Sequence, residues 1–359
     1  YTRLVDLFRV GGQTDRVFVT LQKALDISKD LEKSSLTAKI MGQLGSVYTQ
    51  RGEDERALEL FEQALPIAEG LGEKSLVALI LGSIGDYHHA RGNIDRSLAF
   101  LKRSRSMHQE LGEKRLVAFA TTKMSAPYIR RGDYDRALAC LKETLTIHEE
   151  LGNSSEIPRV IGNIGSVYGD KGDFEQSLEH LTIAMKAHRE GRERSSMLYW
   201  TGNIARVLLQ LSGEEESLPA YLPPYLPDYA PSDSDERAAT DRWRKAARNR
   251  ARAFAEECDE IASEFDNSRF HNQSQLLLAR IDDADGRTKQ AGERMKALLP
   301  EVTNPVQLAE CYYWLWTFDK EDEHHRTTAL RLYTDLSDVS QTREVQKRIE
   351  ELGGAKEQA

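Results

Sequence analysis

The 359-residue chain carries 49 basic against 58 acidic side chains, a formal net charge of −9, which disfavours non-specific adhesion to nucleic acid or anionic membrane. No apolar run approaches the roughly 18 residues of a membrane span. Its three cysteines, Cys140, Cys258 and Cys311, show no CxxC spacing, so neither a disulfide framework nor a zinc site is encoded and a reducing, cytoplasmic compartment is expected.

In chain order, residues 1–200 divide into five segments of 40 residues with no insertion between them. Phe8, Tyr48, His88, Tyr128 and Tyr168 are equivalent, as are Gly12, Gly52, Gly92, Gly132 and Gly172. A period of this size indicates stacked supersecondary units. Apolar and small residues fall at helical spacing on both sides of each glycine, predicting two helices per unit with the glycine at the turn. Asn93, Asp133 and Asp173 follow the glycines as candidate helix N-caps. Leu71-Gly72, Leu111-Gly112 and Leu151-Gly152 mark the ends of second helices. Residues 1–11 already fit a first helix, so the natural chain is expected to begin upstream of Tyr1. Pro66 and Pro127 fall inside helices, where Pro127 is expected to introduce a kink, whereas Pro158 falls near a helix start.

A sixth unit begins at Gly202-Asn203-Ile204, with its turn expected at Gly213. The regular array is thus assigned to 1–213 and a Pro/Tyr-rich loop to 214–233, in which five prolines from Pro219 to Pro231 exclude a regular helix. From Ser234, a plausible N-cap, a long charged helix should run to about Phe265, followed by two degenerate hairpins and a closing helix, Val345 to Leu352. Together these make a region 234–352, with 353–359 as a disordered tail.

The recurrent Leu44-Gly45, Tyr48, Gly52, Ala57-Leu58, Phe61 and Ala64-Leu65 pattern resembles the tetratricopeptide repeat. The 40-residue period is similar to the long variety found in kinesin light chains, Pins-type adaptors and bacterial signalling proteins. The resemblance implies an all-α, right-handed superhelical solenoid of antiparallel helix pairs, with a less regular C-terminal part. It also implies a protein-interaction scaffold, the sensor or regulatory region of a larger signalling protein fused to or associated with an enzymatic domain. The same resemblance puts function on the concave wall built from first helices. In this sequence that wall takes Lys39, Gln43 and Ser46 in the second unit, Ser83 and Asp86 in the third, and Lys123 and Arg130 in the fourth. The fifth supplies Arg159, Asn163, Ser166 and Asp170, and the sixth Asn203 and Arg206.

Five cations against two aspartates suggest a basic groove for a peptide or partner domain bearing acidic side chains or a carboxylate, with asparagine and serine reading its backbone. A solvated face of mixed charge is the plain alternative. The alternative from another class is a nucleic-acid-engaging module using Arg242 to Arg252, although Glu256, Glu257, Asp259, Glu260 and Glu264 follow on the same helix and offset it. His108, His148 and His188 recur every 40 residues, but a whole repeat separates them, which favours partly buried structural roles over metal binding. Tyr312, Tyr313, Trp314 and Trp316 are assigned to the core of the last hairpins. No nucleophile–base pair or strand-to-helix phosphate loop is present, since Gly162-Asn163-Ile164-Gly165 lies mid-helix. The expectation is a non-enzymatic chain without cofactor or metal.

Overall fold

Each 40-residue segment folds as a helix pair. The structure, a computed structural model, describes residues 14–28, 34–51, 53–191, 193–214, 225–226, 236–265, 267–302, 304–337 and 343–353. Among these are sixteen α-helices and no strand, an all-α helical-repeat architecture. Phe8, Gly12, Gly52, Ser234, the tail beyond Gly353 and the Pro/Tyr segment apart from Glu214, Tyr225 and Leu226 lie outside the described residues. The chain forms two compact units, Tyr1–Asn153 and Ser154–Ala359.

The N-terminal unit contains α1 (Thr14–Ser28), α2 (Ser35–Arg51), α3 (Asp54–Gly70), α4 (Lys74–Ala90), α5 (Ile94–Glu110), α6 (Lys114–Arg130) and α7 (Tyr134–Glu150). The tight turns between them need a left-handed residue. Gly92 and Gly132 take φ of 72° and 77°, a conformation that costs glycine nothing and other residues a clash with their own Cβ. Asp133 caps α7 by accepting from the Arg136 N–H at 3.2 Å. Asn93 makes no such bond, so the capping expected of it is absent.

The first helices α2, α4 and α6 pack on one another as well as on their second helices. Small residues permit that approach. A Cβ on Gly45 would lie 2.6 Å from the Phe61 ring, and one on Gly85 would lie 2.7 Å from Leu101 Cγ. Phe61, Leu101 and Leu141 occupy equivalent, fully buried positions on successive second helices. The helices α3 and α6 run through Pro66 and Pro127 respectively.

The recurrent histidines are structural locks. His108 is buried, with Nδ1 2.7 Å from Glu113, the residue after the turn glycine. His148 faces Asn153 in the same relation at 3.5 Å. Among the described residues no group of His, Cys, Asp and Glu could hold a metal ion.

The C-terminal unit contains α8 (Ile157–Lys171), α9 (Phe174–Glu190), α10 (Arg194–Glu214), α11 (Glu236–Glu264), α12 (Ser268–Ala284), α13 (Thr288–Leu298), a 3-10 turn (Leu299–Glu301), α14 (Pro305–Phe318), α15 (Glu323–Ser337) and α16 (Arg343–Glu351). Pro158 sits in the first turn of α8, Asp173 caps α9, and His188 meets Glu193 at 2.9 Å. The helix α10 ends at Glu214, one residue past the Gly213 where the sequence places the turn, and residues 215–224 lie outside the described ones. The buried Leu208, Leu209 and Leu211 hold α10 in place. Its partner is the long helix α11, whose Trp243 is fully buried in one core with Leu178, Leu181, Ile204 and Leu208. The charged helix therefore completes the sixth pair. Val345, Ile349 and Leu352 seat α16 against Tyr313 and Tyr333, and the Tyr313 hydroxyl donates to Glu351 at 2.6 Å.

Candidate functional site: the first-helix wall

Counting in forties sorts the exposed side of the first helices into three rows. In the N-terminal unit, row one is Lys39, Leu79 and Phe119; row two is Gln43, Ser83 and Lys123; row three is Ser46, Asp86 and Ala126. In the C-terminal unit the rows are Arg159 and Tyr199; Asn163 and Asn203; Ser166 and Arg206.

Row three of one repeat bonds to row two of the next, 37 residues on. The Ser46 and Ser83 hydroxyls lie 3.1 Å apart. Lys123 Nζ donates to Asp86 Oδ2 at 2.6 Å. In the C-terminal unit Asn203 Nδ2 donates to Ser166 Oγ at 3.1 Å, also 37 residues apart. Arg206 pairs with Asp170 at 3.1 Å. Arg130 donates to the His89 carbonyl, and burial pulls its guanidinium pKa down from the ordinary arginine value. Burial, followed by the nearby Arg130 charge, lowers the His89 imidazole to about 4.

These bonds divide the residues that sequence reasoning grouped together. Lys123 and Arg206 are neutralised within the protein by Asp86 and Asp170. Arg159, half-exposed, is held by Glu156 three residues earlier at 3.0 Å. Lys39 is exposed and makes no ion pair among the described residues. Gln43 Oε1 is buried without a hydrogen-bond partner, and Asn163 makes no side-chain hydrogen bond among the described residues.

Phe119 and Tyr199 are aromatic positions of the same wall that residue polarity alone does not point to. They are 49% and 50% exposed, in the row that begins with Lys39 and Arg159, and Lys123 Nζ lies 4.5 Å from the Phe119 ring centroid. Subtracting 40 from each number finds them; choosing by polarity does not.

The basic run on α11 is largely committed elsewhere. Asp282 stands four residues before the turn glycine Gly286, as Tyr128 stands before Gly132, so a buried carboxylate replaces the repeat aromatic. Arg252 reaches Asp282 at 2.7 Å, Arg287 at 2.9 Å and Arg294 at 3.3 Å, while Arg248 holds Asp285 at 2.7 Å. Burial pushes the Asp282 carboxyl pKa up, but the Arg287 and Arg252 hydrogen bonds outweigh it and the group sits below its ordinary value.

Residues 10–70 and 76–150 match the family model described as tetratricopeptide repeat. Over those residues the chain is a tetratricopeptide-repeat array. No curated protein matches its sequence. Among solved structures, the array is similar to the signal-transduction ATPase with numerous domains from Pyrococcus horikoshii, which carries a tetratricopeptide repeat sensor. That match has a TM-score of 0.60 at 14% identity, covering 95% of this chain and 48% of that one. The chain thus spans about half of that protein. The Rap conjugation regulator of plasmid pLS20, solved with the Phr* peptide, matches at 0.54 and 14%, covering 91% of this chain and 77% of that one. A human IFIT1 dimer with m7Gppp-AAAA matches at 0.54 and 18%, covering 97% and 70%. At such identities the likenesses show the fold. No described helix of the array is long and apolar enough to cross a membrane.

Proposed function

We propose that the array is a protein-interaction scaffold that holds a partner segment along its first-helix wall, as the sensor or regulatory part of a signalling protein. The observation that carries this reading is the set of wall side chains that the rungs leave out: Lys39, exposed and without an ion pair among the described residues, beside Gln43 in the N-terminal unit, and Asn163 in the C-terminal unit, beside an Arg159 that Glu156 holds. An exposed unpaired cation such as Lys39 can take a carboxylate, and an amide without side-chain hydrogen bonds such as Asn163 can take a peptide group. The Rap structure with its peptide and the Pyrococcus sensor support the reading by analogy of fold alone. It assigns the chain binding rather than catalysis, with an acidic or carboxylate-bearing peptide as partner.

Affinity capture with the intact chain, compared with Lys39→Glu and Arg159→Glu, tests it. Loss of a shared partner in these variants, with helical content unchanged by circular dichroism, is expected. Full retention in both would count against a basic wall. The nucleic-acid reading is disfavoured by the engagement of Arg248 and Arg252 with aspartates. Gel shifts at two salt concentrations check it, since phosphate contacts would show steep salt dependence.

A further inference from the structure

The rungs occupy rows two and three, so what a partner meets first is row one. In the N-terminal unit that row runs Lys39, Leu79, Phe119: an exposed cation, a half-buried aliphatic side chain and an exposed aromatic ring on three successive first helices. In the C-terminal unit it begins again with exposed Arg159, followed by exposed Tyr199, whose ring stands edge-on to Phe270 at 4.6 Å. Single exposed apolar residues are ordinary on protein surfaces and by themselves imply nothing. Here, however, both units carry an exposed cation with an exposed aromatic ring further along the same row: Lys39 with Phe119 two first helices on, and Arg159 with Tyr199 one first helix on. Both rings remain about half exposed although neighbouring rows are closed by specific bonds.

We infer that row one of the N-terminal unit selects an extended peptide segment that places a carboxylate at Lys39 and apolar side chains at Leu79 and Phe119, at three-residue intervals. This inference rests on the wall reading above and specifies its partner. The interval follows from geometry. Packed helix axes stand about 8–10 Å apart, and a polyproline-II segment advances about 9 Å per three-residue turn, returning every third side chain to the same face. A β-strand returns a side chain to the same face every two residues, about 7 Å, which falls short of the next helix. Charge supplies one end of the register and apolar burial the other. Lys39 is the unpaired cation of the row, while the Lys123 ammonium beside Phe119 is already satisfied by Asp86.

A randomised linear peptide library displayed on phage, panned against the intact chain, tests the inference. Peptides enriched on the wild type should carry an acidic residue with apolar residues three and six positions away. Phe119→Ser should weaken an enriched synthetic peptide about tenfold or more in fluorescence anisotropy, as loss of an aromatic anchor does. Lys39→Glu should abolish the acidic preference. Ile27→Ser, which removes an exposed apolar residue from second helix α1, should leave affinity unchanged and serves as the control. Enriched peptides without the three-residue apolar spacing, or with affinity indifferent to Phe119→Ser, would overturn the inference while leaving the wall reading standing. No enrichment over a bare-support control would overturn both.

Discussion

The Lys123 ammonium and the Asp86 carboxylate, on successive first helices, stand 2.6 Å apart, with the lysine mostly buried and the aspartate partly open to water. The bond joins two repeats, and the charge it uses is thereby withheld from any ligand.

Reversing Lys123 to Glu should accordingly read as a stability defect. Two carboxylates would face each other across the rung, costing on the order of 1–2 kcal/mol, and Asp86→Lys in the same chain should restore most of it. Urea unfolding of the two single variants and the double variant checks this. A wall experiment that reverses Lys123 alone would confound folding with binding, which is why Lys39, without an ion pair among the described residues, is the better position.

Gly45→Ala should destabilise the N-terminal unit by about 1–3 kcal/mol, since the new methyl meets the buried Phe61 ring at 2.6 Å. Gly70→Ala, also helical, meets nothing within 4 Å and should be neutral or stabilising by up to about 1 kcal/mol. Denaturant midpoints of the pair separate the close-approach requirement from simple helix propensity.

His89 predicts an acid sensitivity of its own. Its pKa is about 4 in the fold against about 6.5 unfolded, so it enters the folded state neutral. Stability from this group is complete above pH 6.5 and falls as pH drops toward 4, by up to about 3 kcal/mol. Denaturation midpoints between pH 7 and 4.5 should slope downward in the wild type and flatten in His89→Phe.

Asp282→Ala should be far more damaging than most carboxylate deletions. It removes a fully buried anion from Arg252, Arg287 and Arg294, of which the first two keep Asp285, so a loss of about 2–3 kcal/mol is expected. Because its pKa is depressed in the fold, the wild-type contribution is present above about pH 4 and is lost as pH falls below it. Thermal unfolding at neutral and acid pH, on wild type and variant, reads both effects.

The repeat architecture was legible because glycine turns and buried small residues leave a strict periodic mark. Gly92, Gly132 and Gly172 all adopt positive φ, and Asp133 and Asp173 cap as expected. Asn93 shows the limit, since a residue type permits a cap without enforcing one. The wall residues were legible as positions, not as partners. Whether Lys123 is a ligand contact or a rung depends on the 37-residue offset between helices, which no local pattern displays. The Asp282 cluster was hidden for a related reason: its arginines, Arg248 and Arg252 on α11, Arg287 in the turn before α13 and Arg294 on α13, look in sequence like a solvated face.

The 37-residue rungs also mean that the repeats are not interchangeable parts. Deleting residues 81–120 would preserve the period and rejoin the chain in phase, yet Ser46 would then face Lys123, with Asp86 gone. Each repeat carries half of a lock whose other half belongs to a particular neighbour. The order of the array is thus written into its side chains, and recombination within it would scramble that order even where it kept the length.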